Sequence, residues 1–125
     1  MLRVLIADDD PMMRDLVTTT LVRSGHQIAT AASGNQALSL IEDDTFDVIV
    51  ADIFMPEGTG LELLISIRAK HIDVPFICIS GGDGDLFRPY AATMISLGAA
   101  MVLKKPFTPD QLMAAVNDVH LGGGN

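Results

Sequence analysis

Cysteine is almost missing from this chain. Cys78 is the only one among 125 residues, so no disulfide can form within it, and a chain of this length can bury a core without such staples. Cys78 lies in the apolar run VPFICIS (74–80), where a thiol serves as a small buried hydrophobe rather than a nucleophile. Basic residues are scarce too: 8 against 16 acidic ones, for a net charge of −8. That balance opposes nonspecific attraction to nucleic acid or anionic lipid, so no direct nucleic-acid partner is expected. The three histidines, His26, His71 and His120, are scattered without metal-ligand spacing and read as surface or helix-end residues. No window approaches the ~20 apolar residues of a membrane span, and the first residues show no signal-peptide pattern. The expectation is one cytoplasmic domain with no membrane insertion.

What is present is alternation. Apolar runs of strand length recur at 2–7 (LRVLIA), 26–31 (HQIATA), 46–51 (FDVIVA), 75–80 (PFICIS) and 100–104 (AMVLK). Between them apolar residues fall at helical spacing, as in Met13, Leu16, Val17 and Leu21, or Leu61, Leu64 and Ile65. Helix starts are marked by Asp10 before Pro11, by Ser33 with Gln36, by Thr59 with Glu62, and by the run Thr108-Pro109-Asp110-Gln111. Gly25 and Gly98 are placed to end helices. Several runs are apolar throughout rather than alternating, which predicts strands buried on both faces. The class is α/β, with a parallel sheet covered by helices on both sides.

In such sheets ligands sit beyond the carboxyl ends of the strands. Asp8 and Asp9 end the first run, Asp52 the third, Ser80 the fourth, and Lys104 and Lys105 the fifth. Three adjacent aspartates, Asp8 to Asp10, repel one another, and stability alone does not produce such a stretch. Carboxylates, a hydroxyl and an ammonium converging on one edge suit a hard divalent cation with an anion beside it.

The stretches LIADDDP, VIVADIFMPEGTGLELL, ICIS and LKKPFTPDQL, in this order and spacing, resemble the phosphoacceptor receiver domain of two-component response regulators, of the stand-alone chemotaxis-regulator type. The resemblance covers essentially the whole chain. It implies a doubly wound, flavodoxin-like sheet of five parallel strands in the order 2-1-3-4-5, a receiver domain over 1–121 and a flexible tail over 122–125. The tail can also be read as the stub of a linker. The resemblance further implies Asp52 as the phosphorylated carboxylate, Mg²⁺ held by Asp9, Asp52 and the backbone carbonyl of Phe54, and Asp8 acting through a bound water. Lys105 is the implied ion-pairing lysine and Ser80 the hydroxyl that turns toward the phosphoryl group. Lys104 has no such role, and Asp10 reads as a helix cap rather than a ligand. The implied donor is a phosphohistidine of a histidine kinase or histidine phosphotransfer protein, with a downstream protein target for the modified form. The implied product is a resettable switch that catalyses its own modification and its reversal.

Three features depart from the family's usual pattern. The segment from Ser80 to Gly98 is about three residues long in excess and rich in glycine, which predicts a mobile loop with the next helix starting at Arg88 or Pro89. Val102 stands where many receivers carry an aromatic residue that swings with the hydroxyl, which moves the expected switch to the segment from Gly81 to Tyr90. An inert loop with Tyr90 fixed in the core is the competing reading. Phe54, two residues after Asp52, either shields the site from water or merely covers an exposed loop. Met12 and Met13 open the first helix, one facing the core and the other available to a docking kinase.

Two other functional readings compete. A receiver cut from a larger regulator with an output domain would give the same motifs. A haloacid-dehalogenase-type phosphatase also uses an aspartyl phosphate beside a doubly wound sheet, but it wants a second acid two residues after its nucleophile. A flavin-binding module is disfavoured, because Asp8 and Asp9 would meet the flavin phosphate with no hydroxyl-rich loop to receive it.

Overall fold

Strands and helices alternate along the chain in the computed structural model, which describes residues 1–81 and 84–123, with 84–88 and 122–123 described by backbone alone. The elements are β1 (Arg3–Ala7), α1 (Pro11–Arg23), β2 (Gln27–Ala31), α2 (Gly34–Asp43), β3 (Val48–Asp52), α3 (Gly60–Ala69), β4 (Phe76–Ser80), α4 (Gly84–Ser96), β5 (Met101–Lys104) and α5 (Pro109–Gly123). Each apolar run becomes a strand. The strands pair in parallel in the order β2-β1-β3-β4-β5.

The strands read as unbroken apolar runs because both faces of the sheet are covered. Val4, Ile6, Val48, Val50, Ile77 and Ile79 pack with Val17 and Leu21 of α1 and with Leu112, Ala115, Val116 and Val119 of α5. Leu5, Ala7, Ile49, Ala51, Phe76 and Cys78 point the other way, toward Ala37 and Ile41 of α2, Leu63, Leu64 and Ile67 of α3, and Met94 of α4. Successive strand residues thus feed two cores, as the pleat requires. Met13 packs into the first of these cores while Met12 stays exposed. Cys78 is fully buried, and desolvation pushes its thiol up to about 12, so it is inert.

The caps form largely as their residue types dictate. Asp10 accepts from the Met12 amide at 3.0 Å, and Thr59 with Glu62 makes a complete capping box. Thr108 and Gln111 exchange the same pair of bonds. At α2 only half the box appears: Ser33 accepts from the Gln36 amide, but the Gln36 side chain accepts from Ala32 rather than from Ser33. Gly25 and Gly98 follow their helices with φ of 90° and 108°, a backbone region open to glycine.

The region before β5 requires a correction. α4 begins at Gly84, not at Arg88 or Pro89, and carries Pro89 inside it. Residues from Gly84 onward are therefore helical. Pro89 has no amide to reach back to Asp85, near the start of the ladder, and Met94 farther along the helix is buried in the core. Gly82 and Asp83, part of the stretch expected to be mobile, lie outside the described residues. At the other terminus α5 is helical through Gly123, so the tail expected over 122–125 overlaps its last turn, and Gly124 and Asn125 lie outside the described residues.

Candidate functional site

The order of the sheet creates the site. From β1 the chain crosses to one side for β2 and to the other for β3, so a crevice opens where β1 and β3 end side by side. Ladder bonds continue one residue beyond the strands there. The Asp8 amide donates to the Ala31 carbonyl at 3.0 Å, Ile53 to Ile79 at 3.0 Å, and Lys105 to Ser80 at 2.8 Å. The side chains that leave the sheet at this edge are thereby fixed by backbone that is still sheet-like.

Asp8, Asp9 and Asp52 each offer a carboxylate oxygen to one spot, the three lying within 4.8 Å of one another. Asp8 and Asp52 are buried and Asp9 is exposed, so the cluster opens to solvent on the Asp9 side. Lys105 reaches in from beyond β5: its Nζ donates to Asp52 Oδ2 at 2.9 Å and stands 3.8 Å from Asp8 Oδ2. The side chain passes close to Gly81, where a Cβ would sit 3.2 Å from Cδ of Lys105. Gly60 is constrained more severely, because a Cβ there would approach the Asp52 carbonyl oxygen to 2.3 Å. Only glycine lets α3 start so close beneath Asp52.

The remaining Asp52 oxygen, Oδ1, accepts from the Phe54 amide at 3.1 Å. Asp8 Oδ1 accepts from the Asp10 amide at 2.9 Å, while Asp8 Oδ2 is buried with no hydrogen-bond partner among the described residues. Burial is the largest influence on Asp8 and lifts its carboxyl above the ordinary range. The Asp10 amide and the Lys105 charge oppose that rise, and the charges of Asp52 and Asp9 add to it. For Lys105 burial is again the largest single influence and would lower it. The Asp52 hydrogen bond and the charges of Asp52, Asp8 and Asp10 together outweigh it and hold the ammonium above its usual value. The Lys105 ammonium thus faces two buried carboxylates, with the exposed Asp9 carboxylate grouped beside them, and among the described residues one buried oxygen has no hydrogen-bond partner.

This donor set fits Mg²⁺: hard oxygen ligands, an uncompensated charge, an orphaned buried oxygen and an open side for water. Of the other residues singled out in the sequence, Ser80 is fully buried at the end of β4, and Val102 is half-buried in β5 against the α3 and α4 side of the core. Asp10 is the α1 cap and not part of the carboxylate group. His26 accepts from the Leu2 amide and stands away from the cluster.

Two contacts escaped the sequence reading. Arg14 donates from Nη1 to the Asp8 carbonyl at 2.9 Å, tying α1 to the end of β1; its helical position six residues on was the available signal. The Phe54 and Tyr90 rings meet edge to face, with centroids 5.2 Å apart and planes at 88°. Local sequence pattern does not pair residues 36 positions apart.

Comparison with known proteins agrees with this geometry. Residues 4–117 match the family described as the response regulator receiver domain. The response regulator SaeR of Staphylococcus aureus is 34% identical over 119 residues, covering 95% of this chain and 50% of its own length. This chain therefore spans about half the length of the curated relatives it matches. Among solved structures, the receiver domain of a Francisella response regulator superposes with a TM-score of 0.90 at 32% identity, covering 98% of both chains. The chemotaxis protein CheY4 of Vibrio cholerae gives 0.87 at 30% identity, over 95% of this chain and 98% of that one. NtrX from Brucella abortus gives 0.89 at 30%, over 98% of this chain but 28% of that one.

Proposed function

The chain belongs to the response-regulator receiver family, and from that premise we propose that Asp52 accepts a phosphoryl group from a phosphohistidine of a histidine kinase or phosphotransfer protein. The observation that carries this reading is the Asp52 carboxylate itself. It is buried at a strand end, hydrogen-bonded to Lys105 at 2.9 Å, and grouped with Asp8 and Asp9. A carboxylate attacks phosphorus poorly because its charge repels the phosphoryl oxygens, so counter-charge and alignment are what the protein must supply.

In the step, an Asp52 oxygen forms a bond to phosphorus as the bond from phosphorus to the donor's imidazole nitrogen breaks. The electron pair stays on that nitrogen, which takes up a proton. Lys105 follows the charge from the carboxylate onto the transferred group. Its raised affinity for protons keeps it cationic at neutral pH. Asp8, Asp9, Asp52 and the Phe54 carbonyl are the residues that would hold Mg²⁺, which when bound neutralises phosphoryl oxygens. Ser80, buried at the end of the neighbouring strand, supplies a hydroxyl for the new oxygens. Hydrolysis reverses the state: water attacks phosphorus, the bond to Asp52 breaks, and inorganic phosphate leaves. The modified form then engages a downstream protein in the cytoplasm.

The lengths of the relatives favour a second organisation, in which this receiver belongs to a longer regulator with an output domain. The site's chemistry is the same in both. The phosphatase alternative lacks its second acid, since Phe54 occupies that place. The test is transfer of labelled phosphate from a phosphorylated histidine kinase. The wild-type chain takes up acid-labile, base-labile label only with Mg²⁺, and Asp52→Asn takes up none. Undiminished label in that variant overturns the assignment.

A further inference from the structure

Resting on the reading of Asp52 as phosphoacceptor, we propose that Phe54 and Tyr90 form the link that couples the state of Asp52 to the position of α4. Phe54 touches both ends of this link. Its amide donates to Asp52 Oδ1 at 3.1 Å, and its ring, 49% exposed, meets Tyr90 of α4 edge to face at 5.2 Å and 88°. Those values lie in the geometry that aromatic pairs prefer. Tyr90 is itself half-buried against the core on the α2, α3 and α4 side of the sheet.

The other end of α4 is tied down. Met94 is buried, the Ala99 amide returns to the Met94 carbonyl at 2.9 Å, and Arg68 Nη2 donates to the Gly98 carbonyl at 3.0 Å. The same guanidinium also holds the Ile72 and Val74 carbonyls, so this end is fixed to the turn after α3. A helix anchored at its C-terminal end and touched near residue 90 by the loop after Asp52 swings at the touched end. Val102 does not offer a second aromatic route, being a short β-branched side chain with restricted rotation.

The sign of the coupling follows from geometry. The ring pair is already at its preferred arrangement in the unmodified state, so displacing Phe54 weakens it. Oxygens added to Asp52 crowd the Phe54 backbone, because that amide is hydrogen-bonded to the carboxylate. The pair therefore holds α4 in the unmodified arrangement, and loosening it favours the modified one.

The experiment uses the whole chain with Mg²⁺ and beryllofluoride as the phosphoryl mimic. Tyr90 is the only tyrosine and there is no tryptophan, so intrinsic emission reports this ring alone. Fluorine resonance of bound beryllofluoride gives an independent measure of occupancy. Binding with a change in Tyr90 emission is expected; binding with unchanged emission overturns the link, whereas absence of binding overturns the phosphoacceptor reading instead. Affinity for beryllofluoride is then compared across Phe54→Leu, Tyr90→Leu and the double variant. Each single variant binds about two- to tenfold more tightly, the double variant gains no further, and Tyr90→Phe returns to the wild-type value. A pair that only packs would lower the melting temperature while leaving affinity unchanged or weakened, and that result refutes the proposal.

Discussion

The two ends of the sheet are built on opposite electrostatic terms. At the amino ends of the strands polar groups are matched: Arg3 pairs with Asp44, Asp47 accepts the Arg3 amide at 2.8 Å, His26 accepts the Leu2 amide, and Arg68 holds three carbonyls. At the carboxyl ends the Lys105 ammonium faces Asp52 and Asp8 with Asp9 grouped beside them, and a buried Asp8 oxygen has no hydrogen-bond partner among the described residues. The first end is arranged for stability. On the proposed reading, the second keeps charge in reserve for a cation and a phosphoryl group, at a cost to the fold without them. A cavity of about 360 Å³ lined by Phe46, Ile72, Val74 and His120 lies at the matched end, away from the carboxylates.

Substitutions at each end sharpen the contrast. Lys105→Ala should have the largest effect. Phosphotransfer to Asp52 falls about a hundredfold or more, the scale of losing one preorganised electrostatic donor, in a timed transfer assay. Arg68→Ala should act on stability instead, costing about 1–3 kcal/mol in chemical denaturation as carbonyls lose their partner, while Mg²⁺ still raises the melting temperature. Equal loss of the Mg²⁺ response in this variant would erase the distinction between the two ends.

Asp8→Asn should move in the reverse direction. Burial holds the Asp8 carboxyl above its unfolded value, so the native state binds its proton more tightly. The stability this group contributes is present below the unfolded value of 3.8 and is lost as pH rises through the raised native one. At neutral pH without metal, Asp8→Asn therefore melts higher, by about 4 °C for each kcal/mol relieved, and its Mg²⁺-dependent rise shrinks. Wild type and variant should converge as pH falls below that window. The smallest effect belongs to Asp47→Ala, about 1 kcal/mol by denaturation with no change in Mg²⁺ response.

Much of this contrast was legible in the sequence. The strands follow from apolar runs of the right length, and the helix starts from Asp10, Thr59 and Thr108, because caps and pleats depend on neighbours a few residues away. The polar edge followed from the rule for open sheets once Asp8, Asp52, Ser80 and Lys105 were seen to end their runs. The start of α4 was misread because Pro89 carries a strong local signal, yet the helix runs through it, with Met94 buried farther along. The Phe54 and Tyr90 contact and the three-carbonyl grip of Arg68 join residues from separate elements, which local pattern does not encode. The charge imbalance was visible as a row of aspartates, but only the fold shows that Asp8 is the buried member and Asp9 the exposed one.

The most direct test of the central claim is chemical identification of the modified side chain. The chain is phosphorylated by a histidine kinase with Mg²⁺, the acyl phosphate is reduced with borohydride, and the peptides are sequenced by mass spectrometry. Reduction of an aspartyl phosphate releases phosphate and leaves homoserine. The account predicts homoserine at position 52 and unaltered aspartate at positions 8 and 9. Homoserine at position 8 or 9, or a phosphate that survives reduction on another residue, would contradict it.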